Sequence, residues 1–284
     1  MSEQQTLPPD VHRILVAVDA SPHSQAALEA AVELAARFEA ELVVLFVEDI
    51  NVLRTAQLPF VREVGVYSAR GSRMDLARVE RSLRARSRRV EVHVQSLMAR
   101  RSVHGTFRVA RGAVWAEIRT AAEEADLLMV GRAGWSHLRE RRLGSTARAV
   151  CCSDRPSVTA VLHEGGRIAA PIVVVYDGSR LGDRALMLAA TLAKRLEGSL
   201  RLILLVPDAA RAASLRKLAE SRLQSFDLAL QFVPATLAAI SGLADILRPM
   251  AEGSLVLPAR TSIFWDETML DLIEEIDVPV LVVH

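Results

Sequence analysis

The feature that most constrains this 284-residue chain is an internal repeat. Residues 13–19 (RILVAVD) and 172–177 (IVVVYD) are short β-branched runs, and each is followed by a turn of small residues and an alanine-rich stretch with helical spacing. Alternation of buried strands with amphipathic helices is typical of a parallel sheet covered by helices on both faces. Two copies of such a unit predict two similar domains in one chain.

Each copy of the repeat supplies five predicted strands. In the first copy these are residues 13–19, 41–47, 90–95, 126–131 and 157–162, and in the second they are residues 172–177, 200–206, 228–233, 254–257 and 279–283. Residues 24–40 and 182–196 are predicted to form the first helix of each copy. The predicted fold class is therefore α/β, with two doubly wound, five-stranded parallel-sheet domains that are Rossmann-like.

The predicted domain boundary is the glycine-containing segment at residues 164–170 (EGGRIAA), which follows the fifth predicted strand. This places one domain at residues 1–163 and the other at residues 171–284. Two stretches, residues 49–75 and 96–112, do not fit the minimal unit. We interpret both as insertions at strand ends, the second with an extra strand or hairpin over residues 106–109.

Composition and local patterns argue against several functional classes. The longest apolar runs, such as residues 42–47, fall far short of the roughly 20 residues that cross a bilayer. The N-terminus is polar and lacks a basic segment followed by an apolar one, so we expect a cytoplasmic protein without a membrane span. The arginines within residues 78–89 lie on a predicted solvated helix end without interleaved aromatic residues, which disfavours a nucleic-acid partner. Cys151 and Cys152 are adjacent, which argues against a disulfide framework and a metal site.

The loop after the fourth predicted strand has the chemistry of an anion site. Glycines directly after a strand permit tight turns and close approach of a ligand to the backbone. The loop then enters a predicted helix, whose first N–H groups and dipole favour phosphate oxygens. In an open parallel sheet, ligands bind at this edge. The candidate residues are Gly131, Arg132, Gly134, Gly144, Ser145 and Thr146.

The spacing G-x2-G-x9-G-S/T of this loop resembles that of the nucleotide-binding universal stress proteins. The resemblance extends over essentially the whole chain, as two UspA-like domains in tandem with the adenine nucleotide alpha hydrolase-like fold. It implies that the bound cofactor is ATP, with ADP and AMP as alternatives and Mg2+ as an accompanying ion. It also implies that Asp19 and the backbone of Val47 help to hold the adenosine, with Ala17, Ser21 and Arg132 as weaker contact candidates.

Asp19 has a structural alternative, because an acidic residue at a strand end is often a helix cap. Ser21 and Ser24 are available nearby for capping, so the ligand role is favoured. The resemblance further implies that the fifth strands of the two domains pair within the chain as a pseudo-dimer. Association of two chains as a homodimer is left open.

The second copy has lost the glycine loop. Alignment by the fourth strands and by the proline before the fifth strand places Ala259, Ser262 and Glu267 at the positions of the three glycines. A carboxylate where phosphates would lie is repulsive. Asp177 remains at the end of the first strand, but we expect no ATP in this domain and predict an architectural role for it.

Three functions remain open from the sequence. The favoured one is an ATP-binding regulatory protein of the stress response, with the nucleotide in the first domain only and a protein partner that the sequence does not name. The second is a weak ATPase or adenine nucleotide hydrolase, for which no catalytic residue can be assigned near the glycines. The third is a nucleotide-independent scaffold for protein interactions.

Overall fold

A computed structural model describes residues 11–58, 62–65, 68–73, 76–134, 142–153, 157–206, 209–236, 240–248, 252–261 and 266–284. The strands and helices of the first half are β1 (Arg13–Val18), α1 (Pro22–Phe38), β2 (Glu41–Asp49), α2 (Ile50–Ala56), β3 (Arg62–Gly65), β4 (Ser68–Arg73), α3 (Leu76–Arg101), β5 (Gly105–Gly112), α4 (Val114–Ala122), β6 (Leu127–Gly131), α5 (Ser145–Cys151) and β7 (Val158–Leu162). Those of the second half are β8 (Ile172–Tyr176), α6 (Arg180–Arg195), β9 (Leu200–Val206), α7 (Ala209–Arg222), β10 (Leu230–Thr236), α8 (Ile240–Leu247), β11 (Ser254–Pro258), α9 (Asp266–Glu275) and β12 (Val280–Val283).

Ten strands form one continuous sheet in the order β10-β9-β8-β11-β12-β7-β6-β1-β2-β5. In this sheet the strand pairs within each half are parallel, whereas β12 and β7 pair antiparallel, with Val280 opposite Val161. Each half therefore contributes five parallel strands, and the two fifth strands meet at the centre. The predicted α/β fold class is confirmed, and so is the pairing of the fifth strands within the chain.

The third strand of the first half was predicted in the wrong place. Residues 90–95 (VEVHVQ) alternate as a strand would, but they lie within α3. Val90 and Val94 are buried one helical turn apart, whereas Val92 points to solvent with 67% of its surface exposed. The strand is β5 instead, which pairs along its whole length with β2. Residues 105–112, interpreted as part of an insertion, are thus the edge strand of the sheet.

The other predicted insertion, residues 49–75, contains the short helix α2 and a separate two-stranded antiparallel sheet of β3 and β4. It leaves the first half at the carboxyl end of β2. After this segment the chain continues through α3 into β5, which pairs with β2 in the main sheet. The segment therefore adds to the five-stranded unit without interrupting it.

Two apolar clusters cover the two faces of the sheet. Ile14 and Val16 of β1 belong to one cluster and Leu15 to the other, as expected for alternating side chains of a strand. Helices α1, α3 and α6 pack on the first face, and α4, α5, α8 and α9 pack on the second. Across the described part of the chain, no helix is both long and apolar enough to span a membrane.

The two cysteines differ in environment. Cys151 lies in the core, where burial raises the pKa of its thiol to about 12, so it is a neutral packing residue. Cys152 is exposed at the end of α5.

Candidate functional site

The turn after β1 and the loop after β6 meet at the carboxyl edge of the sheet. Asp19 follows β1, and its Oδ1 accepts a hydrogen bond of 2.9 Å from the backbone N–H of Ser21. A Cβ atom built on Gly134 would lie 3.0 Å from the other carboxylate oxygen of Asp19. Because Gly134 has no side chain, its backbone can lie this close to the Asp19 carboxylate. Asp19 is exposed.

The third glycine of the predicted motif lies against the second. Gly144 donates its backbone N–H to the carbonyl of Arg132 at 2.8 Å, which ties the two described ends of the loop together. A Cβ atom on Gly144 would lie 3.8 Å from the backbone nitrogen of Gly134. The structure thus places Asp19, which the family resemblance assigns to the site, close to Gly134 and Gly144 of the motif.

Gly144 is the N-cap residue of α5, with extended backbone at φ −64° and ψ 160°. It provides no side chain to cap the first turn of the helix. Ser145 is exposed and Thr146 is half-buried. The N–H groups of a first helical turn have no partner inside the helix, and the positive end of the helix dipole lies there. This arrangement can accept phosphate oxygens through backbone N–H groups and two hydroxyls.

Ala17 and Val47 lie on the neighbouring strands β1 and β2 and are both half-buried. Both pack against the apolar cluster on the α4 and α5 face of the sheet. Their strands pair in parallel register as far as Val18 and Phe46, so Asp19 and Val47 follow directly at the same edge. The two strand ends that the family resemblance assigns to adenosine are therefore adjacent.

The side chains of Arg132 and Ser21 make structural hydrogen bonds. Arg132 is 3% exposed, and its guanidinium donates to the backbone carbonyls of Ile276 at 2.9 Å and Glu274 at 2.6 Å. Ser21 is fully buried and caps α1, accepting from the N–H of Ser24 at 3.2 Å. Both residues were weaker candidates for ligand contact. Their side chains stabilise the structure next to the loop.

Sequence reasoning missed Glu274, which anchors the loop from the second half. One carboxylate oxygen of Glu274 accepts from the backbone N–H of Leu143 at 3.1 Å and from Arg148 at 2.9 Å. Leu143 directly precedes Gly144, and Arg148 lies on α5. Together with Arg132, these contacts fix the base of the first half's glycine loop to the end of α9.

Gly131 has a packing role at the end of β6. A Cβ atom there would lie 2.7 Å from backbone atoms of both His23 and Ser24 in the first turn of α1, whereas a Cβ atom on Gly144 would make ordinary contacts at 3.5 Å. The first glycine of the motif therefore lets α1 approach the sheet.

We expect Gly131→Ala to lower the free energy of unfolding by about 2 kcal/mol, because the first turn of α1 must move. The matched change Gly144→Ala should cost less than about 1 kcal/mol, since its Cβ atom fits. Urea denaturation of the two variants and the wild type measures both values. Equal losses would contradict the packing role of Gly131.

The second half keeps one element of the site and lacks the others. Asp177 follows β8 as Asp19 follows β1, and it accepts from the N–H of Ser179 at 3.0 Å in the same way. Pro258 lies opposite Val283 at the end of β11, and Gly131 lies opposite Leu162 at the end of β6. Ala259, which the sequence alignment placed at Gly131, directly follows β11.

The start of α9 also differs from that of α5. Glu267 is the second residue of α9 and is exposed, whereas Gly144 directly precedes α5. A carboxylate thus lies in the first turn of α9. Ser262, aligned with Gly134, lies outside the described residues.

The fold and this site define a class: a doubly wound, Rossmann-like α/β protein with a glycine-containing loop at the carboxyl edge of its sheet. The sequence profile of the universal stress protein family matches residues 10–151, half of the chain. The chain belongs to the universal stress protein family.

Solved structures agree with this assignment in fold. A universal stress protein from Archaeoglobus fulgidus is 18% identical, with a TM-score of 0.72, and the match covers 95% of this chain and 97% of that one. A Pseudomonas aeruginosa protein assigned to the same family is 15% identical, with a TM-score of 0.60 and coverage of 97% and 94%. At these identities the likeness shows the fold alone. A comparison with curated protein sequences gives no match.

Proposed function

We propose that this chain is a cytoplasmic, ATP-binding regulatory protein of the stress response that binds nucleotide in its first half only. The observation that supports this most directly is the uncapped N-terminus of α5 at Gly144, which lies beside Gly134 and the Asp19 carboxylate. The proposed nucleotide-binding domain is residues 1–163, the linker is residues 164–170, and the degenerate domain is residues 171–284.

The residues present fit a nucleoside phosphate. Asp19 and the backbone at Val47 would hold the adenosine, with Ala17 beside them on the same face of the sheet. The backbone of Gly134 and Gly144 and the hydroxyls of Ser145 and Thr146 would receive the phosphates. ADP and AMP share the adenosine part, and Mg2+ would accompany the phosphate oxygens. Gly131 and Arg132 support the loop, and Ser21 supports the turn after β1.

The role proposed for the second half is to hold the loop of the first. Glu274 and the carbonyl groups at the end of α9 bind Leu143, Arg148 and Arg132. Its own helix start has a carboxylate at Glu267, which would repel phosphates. Pairing of β12 with β7 occupies the fifth-strand edge of both halves, so a homodimer would need another surface.

The proposal predicts saturable binding of Mg-ATP to the wild type, which a carboxylate at position 144 should weaken. We expect Gly144→Glu to bind ATP at least about tenfold more weakly than Gly144→Gln, because only the glutamate adds a negative charge beside the phosphates. Glutamate at a helix start also favours the helix, so the variant should remain folded. Isothermal titration calorimetry measures the affinities.

The variant pair separates charge from bulk, since glutamine and glutamate have nearly the same size. Gly144→Ala, whose Cβ atom fits the site, is the control for loss of the glycine itself. Absence of wild-type binding at millimolar ATP would contradict the proposal and favour the scaffold function. Release of ADP during the titration would favour the hydrolase alternative.

A further inference from the structure

A cavity lies on the face of the sheet that α1 and α3 cover. Its volume is about 500 Å3, within the range of small-molecule sites. Val18 at the end of β1, Leu28 on α1 and Val90 on α3 give it an apolar floor, and all three are buried. We call this cavity the α1–α3 groove.

Two arginines and a histidine line one wall of the α1–α3 groove. Arg86, Arg89 and His93 all come from α3, and their spacing of three and four residues places them on one face of that helix. Gln25 on the first turn of α1 also lines the groove. Among the described residues that line it, none is an aspartate or glutamate. The groove thus combines an apolar floor with a positively charged wall.

The α1–α3 groove is separate from the proposed nucleotide site. Ala20 lines it, but Asp19, Gly134 and Gly144 do not. It lies on the α1 side of the sheet, whereas α5, whose start forms the phosphate end of the nucleotide site, packs on the other side. A ligand in the groove would therefore use different side chains from a nucleotide.

We propose that the α1–α3 groove binds a small anionic amphiphile. The acidic head would lie on the guanidinium groups of Arg86 and Arg89, which suit carboxylate, phosphate and sulfonate oxygens. The apolar body would cover Val18, Leu28 and Val90, removing their remaining apolar surface from water. A fully polar anion would gain nothing from the apolar floor. A neutral apolar molecule would make no charge-assisted hydrogen bond to the guanidinium groups.

The probe for this site is 8-anilinonaphthalene-1-sulfonate, which joins a sulfonate to an aromatic body and fluoresces when bound. We expect saturable binding to the wild type with one site per chain. The double variant Arg86→Gln/Arg89→Gln should bind the probe about fivefold more weakly. Gln25→Glu should also weaken binding, because it places a carboxylate among the residues that line the groove.

The matched control is Arg84→Gln/Arg88→Gln, which removes two exposed arginines from the opposite face of α3. It should bind as the wild type does. Displacement of the probe by decanoate or by decyl phosphate tells whether the head is a carboxylate or a phosphate, and inorganic phosphate alone should displace it poorly.

Three outcomes would overturn the proposal: binding that does not saturate, equal losses in the two double variants, or displacement by ATP that Gly144→Glu abolishes. The last outcome would mean that the probe occupies the nucleotide site. Because Gly144→Glu should leave probe binding intact, failure of the groove and failure of the nucleotide site give different results.

Discussion

Replacing Arg132 with alanine is expected to lower the free energy of unfolding by about 3 kcal/mol. The guanidinium is buried in the first half, and it donates to the carbonyls of Ile276 and Glu274 in the second. Its removal leaves these two carbonyl groups without a charged donor and opens a gap under the loop. Asp277, which lies 3.5 Å from the same guanidinium, adds a weaker effect because its side chain is 77% exposed.

Urea denaturation of Arg132→Ala measures the loss directly. Arg142→Ala is the matched control, because Arg142 is an exposed arginine on the same loop and its replacement should change the unfolding free energy by less than about 0.5 kcal/mol. If both variants unfold as the wild type does, Arg132 does not join the halves in solution and the proposed support of the loop by the second half is wrong.

Much of the fold could be predicted because its central strands are buried on both faces. Such strands are continuous β-branched runs, as in β1 and β8, and turns of small residues bound them. The prediction failed at residues 90–95 because the valines there satisfy both a strand pattern and a helical one. Val90 and Val94 lie one helical turn apart on α3, and the intervening Val92 is an exposed apolar residue that looks like the second member of a strand face.

The resemblance to universal stress proteins also assigned Asp19, Gly134 and Gly144 to one site, and these residues lie close together in the structure. It could not predict the roles of Arg132 and Glu274. Arg132 meets Glu274 across 142 positions of the chain, and the contact exists only because β7 and β12 pair antiparallel and bring α9 beside the loop. In the sequence, an arginine that follows a strand at the ligand-binding edge of a sheet gives the same pattern whether its side chain contacts a phosphate or a neighbouring domain.

The restriction of nucleotide to the first half can be tested with a matched pair of aspartates. Asp19 and Asp177 follow the first strands of their halves, and each accepts from the N–H of a serine two residues later, at 2.9 and 3.0 Å. Asparagine keeps this acceptor oxygen in both places and removes only the charge. The structural cost of Asp19→Asn and Asp177→Asn should therefore be alike, at less than about 1 kcal/mol each.

The decisive measurement is a calorimetric titration of the wild type, Asp19→Asn and Asp177→Asn with Mg-ATP. We predict one nucleotide per wild-type chain. Asp19→Asn should bind about thirtyfold more weakly, a loss of about 2 kcal/mol for a hydrogen bond to a charged acceptor, while Asp177→Asn binds as the wild type does. Two nucleotides per chain, or equal losses in the two variants, would contradict a single site in the first half.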